Sequence, residues 1–458
     1  MNRSKDMCPM CGEHSKTKEE FSSSTTLENG LFPFEKVREG QSGFLKDARI
    51  ALRRRKHLLA QAPTGLGKTV VALTASLELA LEEDKLVLFL TSKQSQHKVA
   101  VDTVLLIQNS EPKISAVDVI SKQAMCQLPE SRKFRKAFYE YCNLKVRTKS
   151  CPWSNRDCRS VAEFLSQKTM HVHQLIRLCK RFGVCPHKSA LMAANESHVL
   201  VCDYNYVFSD IRQQVLSRVE RDLSEAHNLP DRIRSHLCGD LSPGQLLKGA
   251  KESKSYDRTL SRSLRSLYGS FLRIFKEEEG EERAERIEFS DLVERAIRKV
   301  PNGDRTIKEL IARLESVGEL VLNDGGSSTL MEMANFLRNW NSTEEGMVRI
   351  LTHGKEKNIS YKLLDPSILS SPIFREIHSS IVMSGTLHPL AMYADLLGLE
   401  KERTILGQYP SPFPKENRRV VVTPDLTSLY TKRDERMFSS YARKILQIAD
   451  TLPGNVAV

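Results

Sequence analysis

The sequence has no apolar run near the roughly 18 to 20 residues that a membrane-spanning helix requires. Its first residues, Met1 to Asp6, are polar and lack the apolar core of a secretory signal peptide. These absences argue against an integral membrane protein built from helices and against secretion. We therefore expect a cytoplasmic protein without a membrane partner.

Acidic residues are fewer than basic residues. The sequence has 57 Asp and Glu and 69 Lys and Arg, so the net charge is +12 over 458 residues. This excess predicts a polyanionic partner, most simply nucleic acid, with general solubility as the alternative explanation. The length predicts roughly two to four domains. A hydrophobic fraction of 40% is sufficient to build their cores.

The segment from Ala62 to Thr69 carries the strongest chemical signal. It fits the G-x-x-x-x-G-K-[ST] spacing of a phosphate-binding loop in all but its first glycine. A strand-like run at 57–60 precedes it and an apolar-periodic helix at 70–81 follows, so the loop N–H groups and the helix N-terminus should face bound phosphates. Lys68 would add a positive charge, and the Thr69 hydroxyl would ligate Mg²⁺. The alternative is a glycine-rich turn without a ligand.

Alternating strands and helices from residue 32 to about 120 predict a doubly wound α/β domain with its nucleotide site at the strand ends. Apolar residues between 260 and 274 recur at three- and four-residue spacing, which predicts an amphipathic helix packed inside a helical domain. The runs that predict buried strands are Leu86–Thr91, Ala116–Ile120, 198–202, 381–384, 420–423 and 454–458.

Seven of the ten cysteines lie within the 82 residues that follow the third predicted strand. Cys126, Cys142, Cys151 and Cys185 are separated by intervals of 16, 9 and 34 positions, without the short C-x₂₋₄-C pairs of common zinc sites. Dispersed thiolates suit a cubane iron–sulfur cluster, while zinc ligands and buried structural cysteines remain alternatives. Nearer the N-terminus, an isolated C-x-x-C pair at 8–11 is either a zinc ligand pair or two free thiols.

Further motifs follow one another along the chain. They are Phe32 to Gln41, Ala62 to Thr69, Thr91 to Gln96, Ser121 to Cys126, Phe182 to Pro186, Asp203 to Tyr206 and Met383 to Leu387. Over about residues 30–458 this order resembles the XPD family of superfamily-2 DNA helicases. In that family the matching segments are an adenine-sensing segment, helicase motifs I and Ia, the start and end of an iron–sulfur domain, an Asp-Tyr-Asn-Tyr signature and motif III.

The resemblance implies an α/β fold with a RecA-like P-loop motor domain on a parallel sheet. It also implies inserted iron–sulfur and helical Arch domains and the start of a second RecA-like domain. The implied boundaries are a polar arm at 1–29, motor domain 1 at 30–120, 199–228 and 376–400, the iron–sulfur domain at 121–198, the Arch at 229–375, and a partial motor domain 2 at 401–458.

The resemblance further implies ATP-driven 5′→3′ unwinding by a monomer that acts on single-stranded DNA and duplex fork DNA, with no repair-protein partner identified. The implied cofactors are ATP, Mg²⁺ and a 4Fe-4S cluster on Cys126, Cys142, Cys151 and Cys185, with Cys158 competing for the third position. The implied nucleotide-binding residues are Arg38, Gln41, Pro63, Thr64, Gly65, Gly67, Lys68 and Thr69. Lys68 and Glu225 would be catalytic.

Thr91, Gln96 and Tyr204 are the DNA contacts implied by the resemblance. A mixture of basic and aromatic residues beside the cysteines also suits a single-strand channel, with an ordinary basic helix as the alternative. These residues are Arg132, Lys133, Arg135, Lys136, Phe138 and Tyr139.

The chain departs from the family pattern at motif II. An apolar strand ending in Asp-Glu-Ala-His is expected there, where Asp holds Mg²⁺ and Glu activates water. Ser224 stands where Asp belongs, followed by Glu225, and the charged residues 217–222 have a helical character. A deletion of about seven residues that removed the central strand is the simplest account. The alternative is a local change of register in which Asp222 and Glu225 substitute.

A second departure concerns the Q-x-x-G-R-x-x-R segment of the family, which nothing after Pro410 matches. Its arginine resembles an arginine finger, worth about 10³–10⁵ in rate. The alternative function is therefore a protein that binds ATP and single-stranded DNA with little or no turnover.

Overall fold

A computed structural model describes two units of the chain, which extend over residues 1–410 and 411–458 and are treated separately below. The described residues are 30–38, 40–134, 137–208, 219–224, 228–277, 284–285, 289–325, 328–341, 346–352, 357–414, 416, 420 and 422–451. Only the backbone is described for residues 219–224, 274–277, 284–285, 289–290 and 292.

The first unit is built on a seven-stranded sheet in the order β11-β1-β10-β5-β2-β4-β3, with every neighbouring pair parallel. The strands are β1 (His57–Gln61), β2 (Leu86–Thr91), β3 (Ala116–Val119), β4 (Val199–Asp203), β5 (Val219–Ser224), β10 (Ser380–Ser384) and β11 (Thr404–Gln408). This confirms the predicted α/β class and its parallel sheet.

Alternate residues of β1, β2, β4 and β10 enter two different cores, because side chains alternate between the faces of a sheet. Val87 and Phe89 pack on one face, against the helices Gln41–Arg53, Lys68–Glu83 and Gln94–Ile107. Leu88 and Leu90 pack on the other face, in a core that includes residues of the cysteine-rich segment. Both faces of the sheet are therefore covered, as expected for parallel strands.

Strand β5 corrects the prediction that the central strand is missing. Residues 219–224 form a parallel strand between β10 and β2, with Leu223 opposite Val382 and Leu90. The expectation of helix over 217–222 is therefore wrong for the described part. The prediction failed because Glu220, Arg221 and Asp222 break the apolar pattern that normally marks a buried parallel strand.

The cysteine-rich segment that follows β3 is helical. Its helices are Lys122–Met125, Phe138–Arg147, Arg159–Gln167, Val172–Phe182 and Pro186–Ala194, with a 3₁₀ turn at Pro129–Lys133. The helix Val172–Phe182 ends at Gly183, whose φ of 68° is the left-handed conformation that glycine adopts at helix ends. The chain then returns to the sheet at β4, which pairs with both β2 and β3.

Residues 229–363 form a helical region with a small antiparallel sheet of its own. The sheet has the order β6 (Cys238–Leu241), β9 (Asn358–Leu363), β8 (Met347–Thr352), β7 (Ala284–Glu285). The helices are Leu229–His236, Pro243–Glu252, Arg258–Glu277, Phe289–Ile297, Ile307–Asn323 and Thr329–Trp340.

The predicted amphipathic helix of this region is confirmed. In the helix Arg258–Glu277, Leu260, Leu264, Leu267 and Phe271 are buried in one core with Trp340. The antiparallel sheet was not predicted. The first unit also contains the helices Ser367–Glu376 and Leu390–Leu397.

The predicted end of motor domain 1 is residue 400. The seven-stranded sheet extends beyond that residue, because β11 at residues 404–408 pairs with β1. The second unit contains a 3₁₀ turn at Tyr430–Lys432 and the helix Glu435–Thr451. The strand predicted at 420–423 is absent from the described residues of that segment, and the one predicted at 454–458 lies outside the described residues. No helix within the described ranges has the length and apolarity to span a membrane.

Candidate nucleotide and cysteine sites

The phosphate loop lies at the carboxyl ends of β1 and β10. It begins directly after β1, and the N–H of Ala62 donates to the carbonyl oxygen of Ser384 at 3.0 Å. Gly65 and Gly67 have φ values of 85° and 84°, a left-handed conformation that glycine adopts without strain. Gly67 precedes the helix Lys68–Glu83, so the positive end of a 16-residue helix dipole lies at the loop.

Lys68 is held against the loop. Its Nζ donates hydrogen bonds to the carbonyl oxygens of Ala62 at 3.0 Å and Pro63 at 3.2 Å. The Thr69 side chain follows in the first helical turn and is partly exposed. An ammonium and a hydroxyl at this helix start are the groups that bind phosphate oxygens and Mg²⁺ in phosphate loops.

A cavity of about 730 Å³ adjoins the loop and brings six of the predicted nucleotide residues together. They are Arg38, Gln41, Gly65, Gly67, Lys68 and Thr69. A hydrogen bond of 3.2 Å from Nη1 of Arg38 to the carbonyl oxygen of Gly65 ties the segment before the first helix to the loop. Val99 and Thr103 also line this cavity, and nothing in the local sequence pattern had indicated them.

Pro63 and Thr64 are not among the residues that line this cavity. Thr64 is exposed at the loop, where it faces the predicted motif III segment. Gly385 of that segment is the neighbour of Ser384, whose carbonyl oxygen accepts the hydrogen bond from the loop residue Ala62. The structure thus places the Met383–Leu387 segment against the phosphate loop.

The predicted motif II position lies at the carboxyl end of β5. Ser224 is the last residue of that strand and is opposite Met383, the neighbour of the Ser384 that binds the loop. The strand ends of β1, β10 and β5 are therefore adjacent. The predicted catalytic Glu225 lies outside the described residues.

The four predicted cluster ligands line a single cavity of about 610 Å³. Cys126 ends the helix Lys122–Met125, Cys142 lies within Phe138–Arg147, and Cys185 precedes Pro186–Ala194. Cys151 lies in the connection after Phe138–Arg147 and is only 7% exposed. The cavity therefore collects thiols from four separate segments, an arrangement that sequence spacing could only suggest.

Burial raises the pKa of the Cys126 and Cys185 thiols, and each is raised further by the charges of Cys142 and Cys151. Deprotonation of several of these thiols is therefore unfavourable unless a cation compensates it. Among the residues that the structure describes, no three His, Cys, Asp or Glu side chains converge closely enough to hold a single metal ion.

Cys158 has a different environment from the four cavity cysteines. It is 1% exposed in the apolar core, where its Sγ lies 3.3 Å from Sδ of Met192, and it does not line the cavity. Cys179 and Cys202 are also buried in that core. Spacing alone could not separate Cys158 from Cys151, whereas the cavity lining does, because it includes Cys151 and not Cys158.

His187 connects the cysteine cavity to the sheet, and sequence reasoning had not identified it. The ring of this buried residue lines the cavity, and its Nε2 lies 3.0 Å from the hydroxyl of Tyr206. That hydroxyl donates to the carbonyl oxygen of Ile120, just after β3, at 2.8 Å. Burial lowers the pKa of His187 to about 3, so its ring is neutral at physiological pH.

Two of the three predicted DNA contacts are buried, which corrects the prediction for their side chains. Thr91 is 0% exposed, and its hydroxyl bonds both the N–H and the carbonyl oxygen of Lys93. Tyr204 is 2% exposed and belongs to the apolar core. Gln96 is partly exposed, and the exposed side chains of this segment are those of residues 93–95.

The basic and aromatic stretch beside the cysteines is also only partly available to a ligand. Arg132, Lys133 and Tyr139 are exposed, whereas Phe138 is 2% exposed and packs in a core with Tyr141. Arg135 and Lys136 lie outside the described residues. Tyr139, 53% exposed, is therefore the described aromatic ring of this stretch that a base could stack on.

Comparison with known proteins gives a consistent result. A model of the DEAD_2 family matches residues 89–246. The chain is 20% identical to the Saccharomyces cerevisiae general transcription and DNA repair factor IIH helicase subunit XPD/RAD3, over 81% of this chain and 60% of that protein. It is 26% identical to the Sulfolobus acidocaldarius ATP-dependent DNA helicase XPD, over 92% of this chain and 72% of that protein.

The fold agrees with these sequence matches. A solved structure described as an XPD helicase superposes with a TM-score of 0.61 at 20% identity, covering 92% of this chain and 72% of the other. The chain spans 60% of the length of the yeast relative. The family match and the two relatives show that the chain is similar in sequence to XPD helicases, and the superposition shows that it shares their fold.

Proposed function

We propose that this protein is an ATP-dependent DNA helicase of the XPD type, which translocates 5′→3′ on single-stranded DNA. ATP would bind at Ala62 to Thr69 with Mg²⁺ on Thr69, and a 4Fe-4S cluster would be held by Cys126, Cys142, Cys151 and Cys185. We assign residues 121–198 to the iron–sulfur domain and 229–375 to the Arch.

The observation that carries the proposal is the phosphate loop at the carboxyl edge of a parallel sheet. Nucleotides bind parallel α/β sheets at this edge, where loop N–H groups and a helix N-terminus face the phosphates. The hydrogen bond from the N–H of Ala62 to the carbonyl oxygen of Ser384 is a direct contact between the loop and the motif III segment. Such a contact is what coupling ATP to DNA requires.

The cysteine cavity supports the cluster proposal. Four thiols surround one cavity of about 610 Å³, while no described trio of ligands converges on a single point. A 4Fe-4S cluster binds one thiolate at each of four irons, so its ligands are spread around a volume. When bound, it would supply the positive charge that stabilises the four thiolates and would join four segments of the domain.

ATP hydrolysis with and without a single-stranded oligonucleotide tests the function. We expect DNA-stimulated turnover that falls by about 10²–10³ in Lys68→Ala, because a preorganised charge at the phosphates is lost. Lys46→Ala is the matched control, since Lys46 is exposed on the helix Gln41–Arg53. Forked substrates with a 5′ or a 3′ single-stranded arm then test the direction of unwinding.

Binding of labelled ATP without turnover in the wild type would contradict the helicase and identify the binding-only alternative. Turnover that Lys68→Ala leaves unchanged would instead show that hydrolysis comes from a contaminant or from another site.

Iron content after anaerobic purification tests the cluster ligands. We expect about four irons per chain with a visible absorption band, lost in Cys151→Ala and retained in Cys158→Ala, because only Cys151 lines the cavity. Stoichiometric zinc without iron would overturn the cluster. Loss of iron in Cys158→Ala alone would overturn this choice of the third ligand.

A further inference from the structure

A buried histidine lies between two aspartates at the edge of the sheet and lines neither the nucleotide cavity nor the cysteine cavity. Nδ1 of His97 lies 2.7 Å from Oδ1 of Asp118, and both side chains are 2% exposed. Nε2 of His97 lies 3.5 Å from Oδ1 of Asp203, an ion-pair distance without a well-formed hydrogen bond. His97 belongs to the helix Gln94–Ile107, Asp118 to β3 and Asp203 to β4.

Asp118 also reaches the cysteine-rich segment. Its second oxygen, Oδ2, accepts a hydrogen bond of 3.0 Å from the N–H of Val172, the first residue of the helix Val172–Phe182. The carboxylate thus caps that helix, where negative charge is favourable. One buried aspartate therefore joins His97 on one helix to the start of another.

The charges around His97 favour its protonated form. Burial alone would lower the pKa of His97, but the hydrogen bond to Asp118 and the charges of Asp118 and Asp203 outweigh it and raise the pKa to about 9. On the helix Phe138–Arg147, the pKa of the Tyr139 hydroxyl is raised by burial and further by the charge of Asp203. Further titratable groups lie on the helix Gln94–Ile107 and just before the helix Val172–Phe182. Nε2 of His171 lies 3.0 Å from Oδ1 of Asp102, and Nζ of Lys98 pairs with Oδ2 of the same aspartate. The imidazolium is thus the cation between two carboxylates.

We propose that His97 is a positioning residue that fixes the start of the helix Gln94–Ile107, with its exposed segment 93–95, against the cysteine-rich domain through Asp118. The inference rests on the proposed function, because residues 93–95 are the exposed part of the Thr91–Gln96 stretch, whose counterpart in the resembling family contacts DNA. It assigns single-stranded DNA affinity partly to a buried group that cannot contact DNA. Without the imidazolium, Asp118 loses its cation and the two helices lose their shared anchor.

His97→Gln tests this assignment, because glutamine can hydrogen-bond to Asp118 but carries no charge. Hydrogen exchange should become faster in both 94–107 and 172–182, and affinity for a single-stranded oligonucleotide should fall about 2- to 30-fold, the range of measured coupling effects. His173→Gln is the matched control, since His173 is exposed on the helix Val172–Phe182. It should change neither quantity.

A pH comparison of the wild type provides a second test that needs no substitution. A group whose folded pKa lies above its unfolded value contributes stability that is complete below about 6.5 and is lost as pH rises through about 9. Exchange in both helices, corrected for its intrinsic pH dependence, should therefore increase between pH 7 and pH 9.5 in the wild type. His97→Gln should not show this increase.

Faster exchange confined to 94–107, or unchanged DNA affinity together with faster exchange in both helices, would show that His97 is only a local structural residue. The same pH response in His97→Gln and wild type would also overturn the proposal. If the wild type binds no single-stranded DNA, the proposed function fails. Exchange and the pH response alone then decide whether His97 couples the two helices.

Discussion

Gly67 illustrates how one residue determines the shape of the phosphate loop. Its φ of 84° is left-handed, and a Cβ there would lie 2.3 Å from Nε2 of Gln41. We expect Gly67→Ala to destabilise the fold by about 1–2 kcal/mol, the cost of a left-handed L-residue, and to weaken ATP binding. Thermal unfolding and titration with a fluorescent ATP analogue measure the two effects.

Gly43→Ala is the matched control, because a Cβ at Gly43, inside the helix Gln41–Arg53, would meet nothing within 4 Å. That substitution should stabilise by about 0.4–1 kcal/mol, since alanine restricts the unfolded chain. Equal losses in the two variants would contradict a specific role for the loop conformation.

At the residue scale, the local sequence identified residues whose role depends on backbone conformation. It misidentified residues whose role depends on whether the side chain is buried. The glycines and Lys68 of the loop are recognisable from spacing, because their conformations are set within eight residues. Thr91 and Tyr204 were predicted to contact DNA but are buried by elements distant in sequence. His97 gave no signal, since its partners Asp118 and Asp203 are brought to it only by the sheet.

At the scale of elements, β5 carries the predicted motif II position. Its presence reduces the departure from the family pattern to the residue at its end. The strand is present, and its last residue, Ser224, lies beside the strand whose end binds the phosphate loop. We expect Ser224→Asp to raise ATP turnover about 10- to 100-fold, because a carboxylate at this strand end can hold Mg²⁺. Steady-state turnover over a range of Mg²⁺ concentrations is the measurement.

Ser224→Asn separates charge from size, since asparagine matches aspartate in shape without its negative charge. It should leave turnover near the wild-type value. If Ser224→Asp has no effect either, then the end of β5 does not take part in metal binding, and hydrolysis would depend on other groups.

Elements with regular apolar periodicity were predicted well, and those without it were not. The helix Arg258–Glu277 was recognised because its apolar residues form one face that is buried in the structure. Strand β5 was missed because tertiary pairing with β2 and β10 overrides the polar sequence of residues 220–222. In the antiparallel sheet of residues 238–363, β6 and β7 gave no signal because they are short and pair with strands that are distant in sequence.

For the whole molecule, the net charge of +12 leads to a prediction about DNA affinity. If basic side chains neutralise phosphates along single-stranded DNA, the logarithm of the affinity falls linearly with the logarithm of salt concentration, with a slope of about −0.7 per phosphate. Four such contacts would weaken binding about 50-fold between 50 and 200 mM salt. Fluorescence anisotropy of a labelled oligonucleotide measures this slope.

The same base sequence on an uncharged peptide backbone is the control, because it keeps stacking on exposed rings such as Tyr139 and removes the phosphates. It should bind weakly and with little dependence on salt. A salt-independent affinity for the natural oligonucleotide would mean that the excess charge serves solubility, which was the alternative that composition left open. A steep slope would show that the excess positive charge of the protein binds phosphates of the nucleic acid, since neutralised phosphates release counterions in proportion to their number.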